Sequence, residues 1–95
     1  MKLLSQIPIK LDKVRNEDLD KEIIRVGIIA ELDAINLYEQ LAALTKDNLL
    51  KFVLLDIAKE EKTHVGEFQA LLLKKDQQQV EELAQGKDEI QKFSK

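Results

Sequence analysis

The sequence contains no cysteine, one proline and one histidine. Without cysteine, a disulfide framework and a thiolate metal site are both excluded. No apolar run approaches the ~20 residues that span a membrane, and the apolar start of the chain is broken at Ser5, Gln6 and Pro8, too early for a secretory signal. Acidic and basic residues nearly balance at a net charge of −3, which is unfavourable for nucleic acid. We therefore expect a cytoplasmic protein with neither a membrane nor a nucleic-acid partner.

The chain is long enough for one domain. Residues 1–15 are predicted to form an extended N-terminal arm, because Pro8 restricts Ile7 to extended backbone and apolar residues alternate nearby. Residues 16–95 are predicted to form a helical domain, and the fold class is all-α. A domain of 95 residues buries only about 60–65% of its unfolded surface, so its stability depends on support from outside the core.

Two long helices dominate the pattern. The first is predicted to be capped by Asn16 and to run to about Leu44. The second is predicted to be capped by Asp47 and to run to about Lys75. Because the connection between them is short, we expect an antiparallel hairpin.

A short third helix is predicted after the hairpin. Its start is marked by a capping box at Asp76, and its small apolar face contains Val80 and Leu83. Gly86 is expected to end it. For residues 87–95 we consider either another turn or two of helix or a frayed end.

Both long helices are apolar on more than one side. The stripes of the first helix contain Ile24, Ile28, Glu31, Ile35, Tyr38 and Ala42, and Val26, Ala30, Asp33, Leu37, Leu41 and Leu44. A hairpin offers each helix only one partner, so a second copy must cover the remaining apolar surface. We expect a homodimer as the minimum assembly, with two hairpins forming a four-helix bundle.

Three ionisable residues interrupt these apolar stripes. Glu61 and His64 lie three positions apart, on one face of the second helix. Glu31 lies on the first stripe, as far before the turn as Glu61 lies after it. The hairpin therefore predicts that all three meet in one layer.

Burying these groups costs several kcal/mol per ion, and no lysine or arginine lies on the stripes at that level. A divalent metal is the best compensation. A dimer would supply two copies of Glu31, Glu61 and His64, which is the ligand set of ferritin-like di-iron and di-manganese bundles. The four carboxylates would neutralise two divalent ions. These ligands suit iron, manganese or zinc and do not select among them.

Two further residues are candidates near the site. Tyr38 lies two turns beyond Glu31 on the same stripe, either as a core aromatic residue or with a redox or supporting role beside the ligands. Asp33 lies on the other stripe, either solvated or attracting cations to the site.

Residues 31–38 (ELDAINLY) and 56–64 (DIAKEEKTH) together resemble the encapsulated ferritin family. These half-ferritins are cargo of encapsulin nanocompartments, and the resemblance covers roughly residues 20–85. It implies a ferroxidase centre completed when two chains pair, with Glu31, Glu61 and His64 as catalytic di-iron ligands and Tyr38 beside them. It also implies a ring-shaped decamer that delivers oxidised iron to the interior of the encapsulin shell.

The chain departs from this family in two respects. Ala30 replaces a glutamate that often forms part of an outer metal-uptake site, whereas Asp33 matches that site's other acidic residue. The tail, residues 86–95, lacks the glycine-rich apolar tag that docks free-standing members to the shell. Truncation, natural fusion to another protein and a different targeting route are the three explanations.

Two other functions are consistent with the same residues. In one, the polar layer only sets the register of a non-catalytic helical oligomerisation module. In the other, the chain is a different di-metal protein, such as a manganese protein or a peroxidase. Iron oxidation is the leading hypothesis.

Overall fold

The structure, a computed structural model, describes residues 14–94, and this part of the chain is helical throughout apart from short connections. The helices are α1 (Asn16–Leu44), α2 (Asn48–Lys75) and α3 (Gln77–Phe93). The predicted all-α fold, a hairpin followed by a C-terminal helix, is confirmed. The predicted arm at residues 1–15 lies outside the described residues except for its last two positions.

The helices α1 and α2 pack against each other as an antiparallel hairpin, and α3 contacts only α2 to any extent. The antiparallel direction is visible in the pairs that join α1 to α2, because Glu39 contacts Lys62 whereas Gly27 approaches Phe68. Within residues 14–94, no helix is long and apolar enough to cross a bilayer.

Aspartate side chains begin the last two helices, as predicted. Asp47 accepts a hydrogen bond from the backbone N–H of Leu50 at 3.0 Å. Asp76 accepts one from the backbone N–H of Gln79, also at 3.0 Å. Each bond satisfies a backbone donor that has no partner within its own helix.

The predicted cap of α1 is wrong by one residue. Asn16 is the first helical residue, and Arg15 holds the extended backbone before it without a capping side-chain bond. The Arg15 guanidinium instead forms ion pairs with Glu17 and Asp18. Negative charge in this first turn stabilises the positive end of the helix without a cap.

The expectation that Gly86 ends the third helix is also wrong. The helix α3 continues through this residue to Phe93, and no glycine among the described residues has a positive φ. Glycine inside a helix costs only about 1 kcal/mol relative to alanine, which the good helix formers around it offset. Of the two alternatives for the end of the chain, further helix is therefore the correct one for residues 87–93.

The buried core of the single chain is small. Among residues 14–94, its members are Ile24, Ala34, Ile35, Ala42, Ala58 and Leu72. Many larger apolar side chains stay exposed, including Leu44 (78%), Phe52 (69%) and Phe93 (81%). Large apolar side chains exposed in this number favour an interaction surface over a free monomer surface.

Candidate metal centre

Side chains from both long helices converge at the middle of the hairpin. Glu31 extends from α1, and Glu61 and His64 extend from α2. The Nδ1 atom of His64 lies 3.4 Å from Oε2 of Glu61 and 3.5 Å from Oε2 of Glu31. One ligand atom from each residue falls within 4.8 Å of the other two. The structure thus brings together the three residues that the spacing selected.

Local packing explains why these side chains meet. Ala34 and Ala58 lie three positions closer to the turn than Glu31 and Glu61, and each is only 1% exposed. Small residues at a helix contact allow the two helix axes to approach closely. The carboxylates in the next layer are thereby held near each other.

Glu31 is in an unfavourable environment in the metal-free chain. Its side chain and that of Glu61 are each 20% exposed. Oε2 of Glu31 is buried and has no hydrogen-bond partner among residues 14–94. Leaving a buried acceptor unsatisfied costs about 1–3 kcal/mol, more if it is charged. A bound cation would satisfy it, so the geometry fits a metal.

His64 leaves one side of the centre open. Its side chain is 46% exposed, although its Nδ1 atom faces both carboxylates. Three ligands from one chain do not complete the coordination of a metal such as iron, which usually takes more. The open side is where further ligands would have to come from.

The two supporting residues occupy different positions. Tyr38 is partly buried and lies seven residues after Glu31, about 10 Å along the helix at the standard rise. Asp33 is partly buried and has an interaction of its own, but it is not part of the converging group. Neither position decides the role predicted for it.

Three ion pairs between distant parts of residues 14–94 were not predicted. Lys62 contacts Glu39 at 2.9 Å, Arg25 contacts Asp76 at 2.9 Å, and Lys75 contacts Asp20 at 3.8 Å. The bond from the backbone N–H of Gln79, with the nearby Arg25 guanidinium, lowers the pKa of Asp76, although partial burial opposes this. Pairs so far apart in sequence leave no periodic signal from which they could have been found.

Comparison with known proteins agrees with the resemblance seen in the motifs. The chain is 51% identical over 86 residues to a ferritin-like–encapsulin shell fusion protein of Pyrococcus furiosus, an alignment that covers 90% of this chain and 25% of that protein. The chain thus spans about a quarter of the length of this curated relative. A crystal structure of an encapsulated ferritin domain from Pyrococcus furiosus matches with a TM-score of 0.81 and 52% identity, covering 94% of this chain and 93% of that one. The EncFtn-like family model matches residues 6–87, and the chain belongs to this family.

Proposed function

We propose that this chain is half of a ferroxidase: two copies pair into a ferritin-like four-helix bundle and oxidise Fe²⁺ at their interface. The observation that carries the proposal is the buried Oε2 of Glu31, which has no hydrogen bond within the described part of the chain and lies 3.5 Å from Nδ1 of His64. A carboxylate in this position is costly for folding, and a cation in the centre would offset that cost.

Each chain would contribute two carboxylates and one imidazole. Glu31 and Glu61 supply negative charge, and His64 binds through a ring nitrogen in its neutral form. In the dimer, four carboxylates balance the charge of two Fe²⁺ ions. Each Fe²⁺ loses one electron to O₂ and becomes Fe³⁺, and the carboxylates hold the more highly charged product more strongly than the substrate. Other divalent metals would bind the same ligands.

A second copy is supported by the exposed apolar surface. Leu49 is 73% exposed and Phe52 is 69% exposed, although both lie in the apolar first half of α2. Pairing would cover such side chains and close the open side of the centre beside His64. Further pairing of dimers into a ring-shaped decamer would cover apolar residues of α3, including Phe93.

A hairpin of this size cannot enclose iron by itself, so storage would need a separate container. The matched relative combines a ferritin-like part and an encapsulin shell in one protein. We extend this association to the present chain, which would act in the cytoplasm and release Fe³⁺ inside an encapsulin nanocompartment. Of the three explanations for the missing docking tag, this relative favours natural fusion to another protein.

The test is Fe²⁺ oxidation followed by absorbance, with native mass measurement of the same samples. We expect the wild-type chain to oxidise Fe²⁺ faster than buffer and to bind two iron ions per dimer. Glu61→Ala and His64→Ala should lose both properties. Glu60→Ala is the matched control, because Glu60 is exposed and adjacent to Glu61 on the same helix.

Equal oxidation by wild type, Glu61→Ala and buffer would overturn the ferroxidase assignment. An oligomer whose mass and melting temperature do not respond to a chelator would favour the non-catalytic module instead. Metal binding without Fe²⁺ oxidation would favour a di-metal protein of another kind, such as a peroxidase.

A further inference from the structure

In the layer next to the candidate metal centre, the ring of Phe68 occupies the space that a side chain at position 27 would need. Gly27 lies in α1, one turn before Glu31, and Phe68 lies in α2, one turn after His64. A Cβ atom at position 27 would be 3.0 Å from Cε1 and Cζ of Phe68 and 3.2 Å from Cε2. Favourable carbon–carbon contacts lie at about 3.5–4.0 Å, so no other residue fits without displacement.

The other two glycines do not have this constraint. A Cβ atom at Gly66 or at Gly86 would meet nothing within 4 Å, although both residues lie inside helices. Helix propensity disfavours glycine equally at all three positions. Close approach to a neighbouring helix therefore accounts for glycine at position 27 and not at the other two.

From this contact we infer that Gly27 is a positioning residue for the proposed metal ligands: its missing side chain lets α1 lie close to Phe68 and so keeps Glu31 within reach of His64. The expected effect of Gly27 on metal binding rests on the proposed function. The expected effect of Gly27 on the distance between Glu31 and His64 concerns the geometry of this chain alone.

Distances in the centre leave little tolerance for a displaced helix. Glu31 reaches His64 at 3.5 Å, and the two residues are each one turn from the Gly27–Phe68 contact. Gly27 and Phe68 are both partly buried, and a Cβ atom 3.0 Å from the ring requires its neighbour to give way by a few tenths of an ångström. A methyl group at position 27 must either separate the helices or rotate the Phe68 ring. Separation moves the ligand on α1 away from the ligands on α2.

The first measurement uses the metal-free protein. His64 is the only histidine, so histidine labelled with ¹³C at Cε1 alone gives one ring NMR signal from the centre itself. We expect Gly27→Ala to shift this signal and Gly27→Ala/Phe68→Leu to return it toward the wild-type position. Gly86→Ala and Gly66→Ala are the controls and should leave it in place. A signal unchanged by Gly27→Ala would overturn the inference, whether or not the chain binds metal.

The second measurement titrates Co²⁺ and follows its visible absorption. We expect Gly27→Ala to bind Co²⁺ about tenfold more weakly or worse, as is usual when support behind metal ligands is removed. The double variant should recover affinity, whereas Gly86→Ala should match wild type. If Gly27→Ala/Phe68→Leu binds Co²⁺ as weakly as Gly27→Ala does, the contact between positions 27 and 68 does not position the ligands and the inference is overturned. Absence of Co²⁺ binding by wild type, with the NMR shift intact, would reject the proposed function and leave the geometric inference standing.

Discussion

Replacing Glu31 by leucine is expected to stabilise the metal-free protein and to abolish its stabilisation by metal. Oε2 of Glu31 is buried without a hydrogen bond from any described residue, which costs about 1–3 kcal/mol. Because the side chain keeps 20% of its exposure, we expect a gain near the lower end, about 1 kcal/mol. That corresponds to a rise in Tm of about 2–8 °C, smaller for a unit that unfolds as a dimer.

The assay is thermal unfolding followed by circular dichroism, in chelator and in Co²⁺, at one fixed protein concentration. Free metal at 100 times Kd stabilises a binding protein by about 2.7 kcal/mol, and we expect Glu31→Leu to lose nearly all of this. Glu39→Leu is the matched control on the same helix, since Glu39 is 45% exposed and forms a surface ion pair with Lys62. It should keep the metal response and show no gain in chelator.

Two results would refute this reasoning. If Glu31→Leu melts below wild type in chelator, the buried carboxylate has a stabilising partner and is not an unsatisfied group. If Co²⁺ raises the Tm of Glu31→Leu as much as that of wild type, the metal binds elsewhere. A rise in both Glu31→Leu and Glu39→Leu would point to a general effect of added apolar surface.

Three other predictions concern the scaffold. The pKa of Asp76 is lowered in the folded chain. Its contribution to stability should therefore be complete above the unfolded pKa of about 4 and be lost as the pH falls through the lowered folded pKa. Asp76→Asn keeps a good cap, and in acid unfolding experiments the stability of this variant should depend less on pH than that of wild type. Gly66→Ala should raise the free energy of unfolding in denaturant titrations by about 0.5–1 kcal/mol, because the added Cβ meets nothing within 4 Å. A lower free energy of unfolding would mean that another copy of the chain covers the surface around Gly66. Lys62→Met removes the exposed ion pair with Glu39 and should change the free energy of unfolding by less than about 1 kcal/mol without altering Co²⁺ affinity. A larger decrease in the same titrations would show that this ion pair stabilises the hairpin.

Local chemistry made the helices and most of their ends predictable. Asp47 and Asp76 cap the helices that follow them because their carboxylates reach backbone donors three residues away, and this depends on neighbouring residues alone. The predictions for Asn16 and Gly86 were wrong because they too relied on local preference alone. The preference of asparagine for a helix cap and of glycine for a helix end is weak, and the surrounding helix overrode it.

The candidate metal ligands were predictable in part. Equal distances from the turn placed Glu31 and Glu61 in one layer of any antiparallel hairpin, and the three-residue spacing added His64. The roles of Tyr38 and Asp33 stay predictions, because they depend on what surrounds them in an assembly of chains.

The sequence by itself determined the antiparallel hairpin and the layer in which Glu31, Glu61 and His64 meet, since both follow from helical periodicity and the position of one turn. Only the tertiary structure decided how close the helices come. The contact between Gly27 and Phe68 and the ion pair between Arg25 and Asp76 join residues far apart along the chain. Such contacts depend on the distance and rotation between packed helices, which no pattern within one helix encodes.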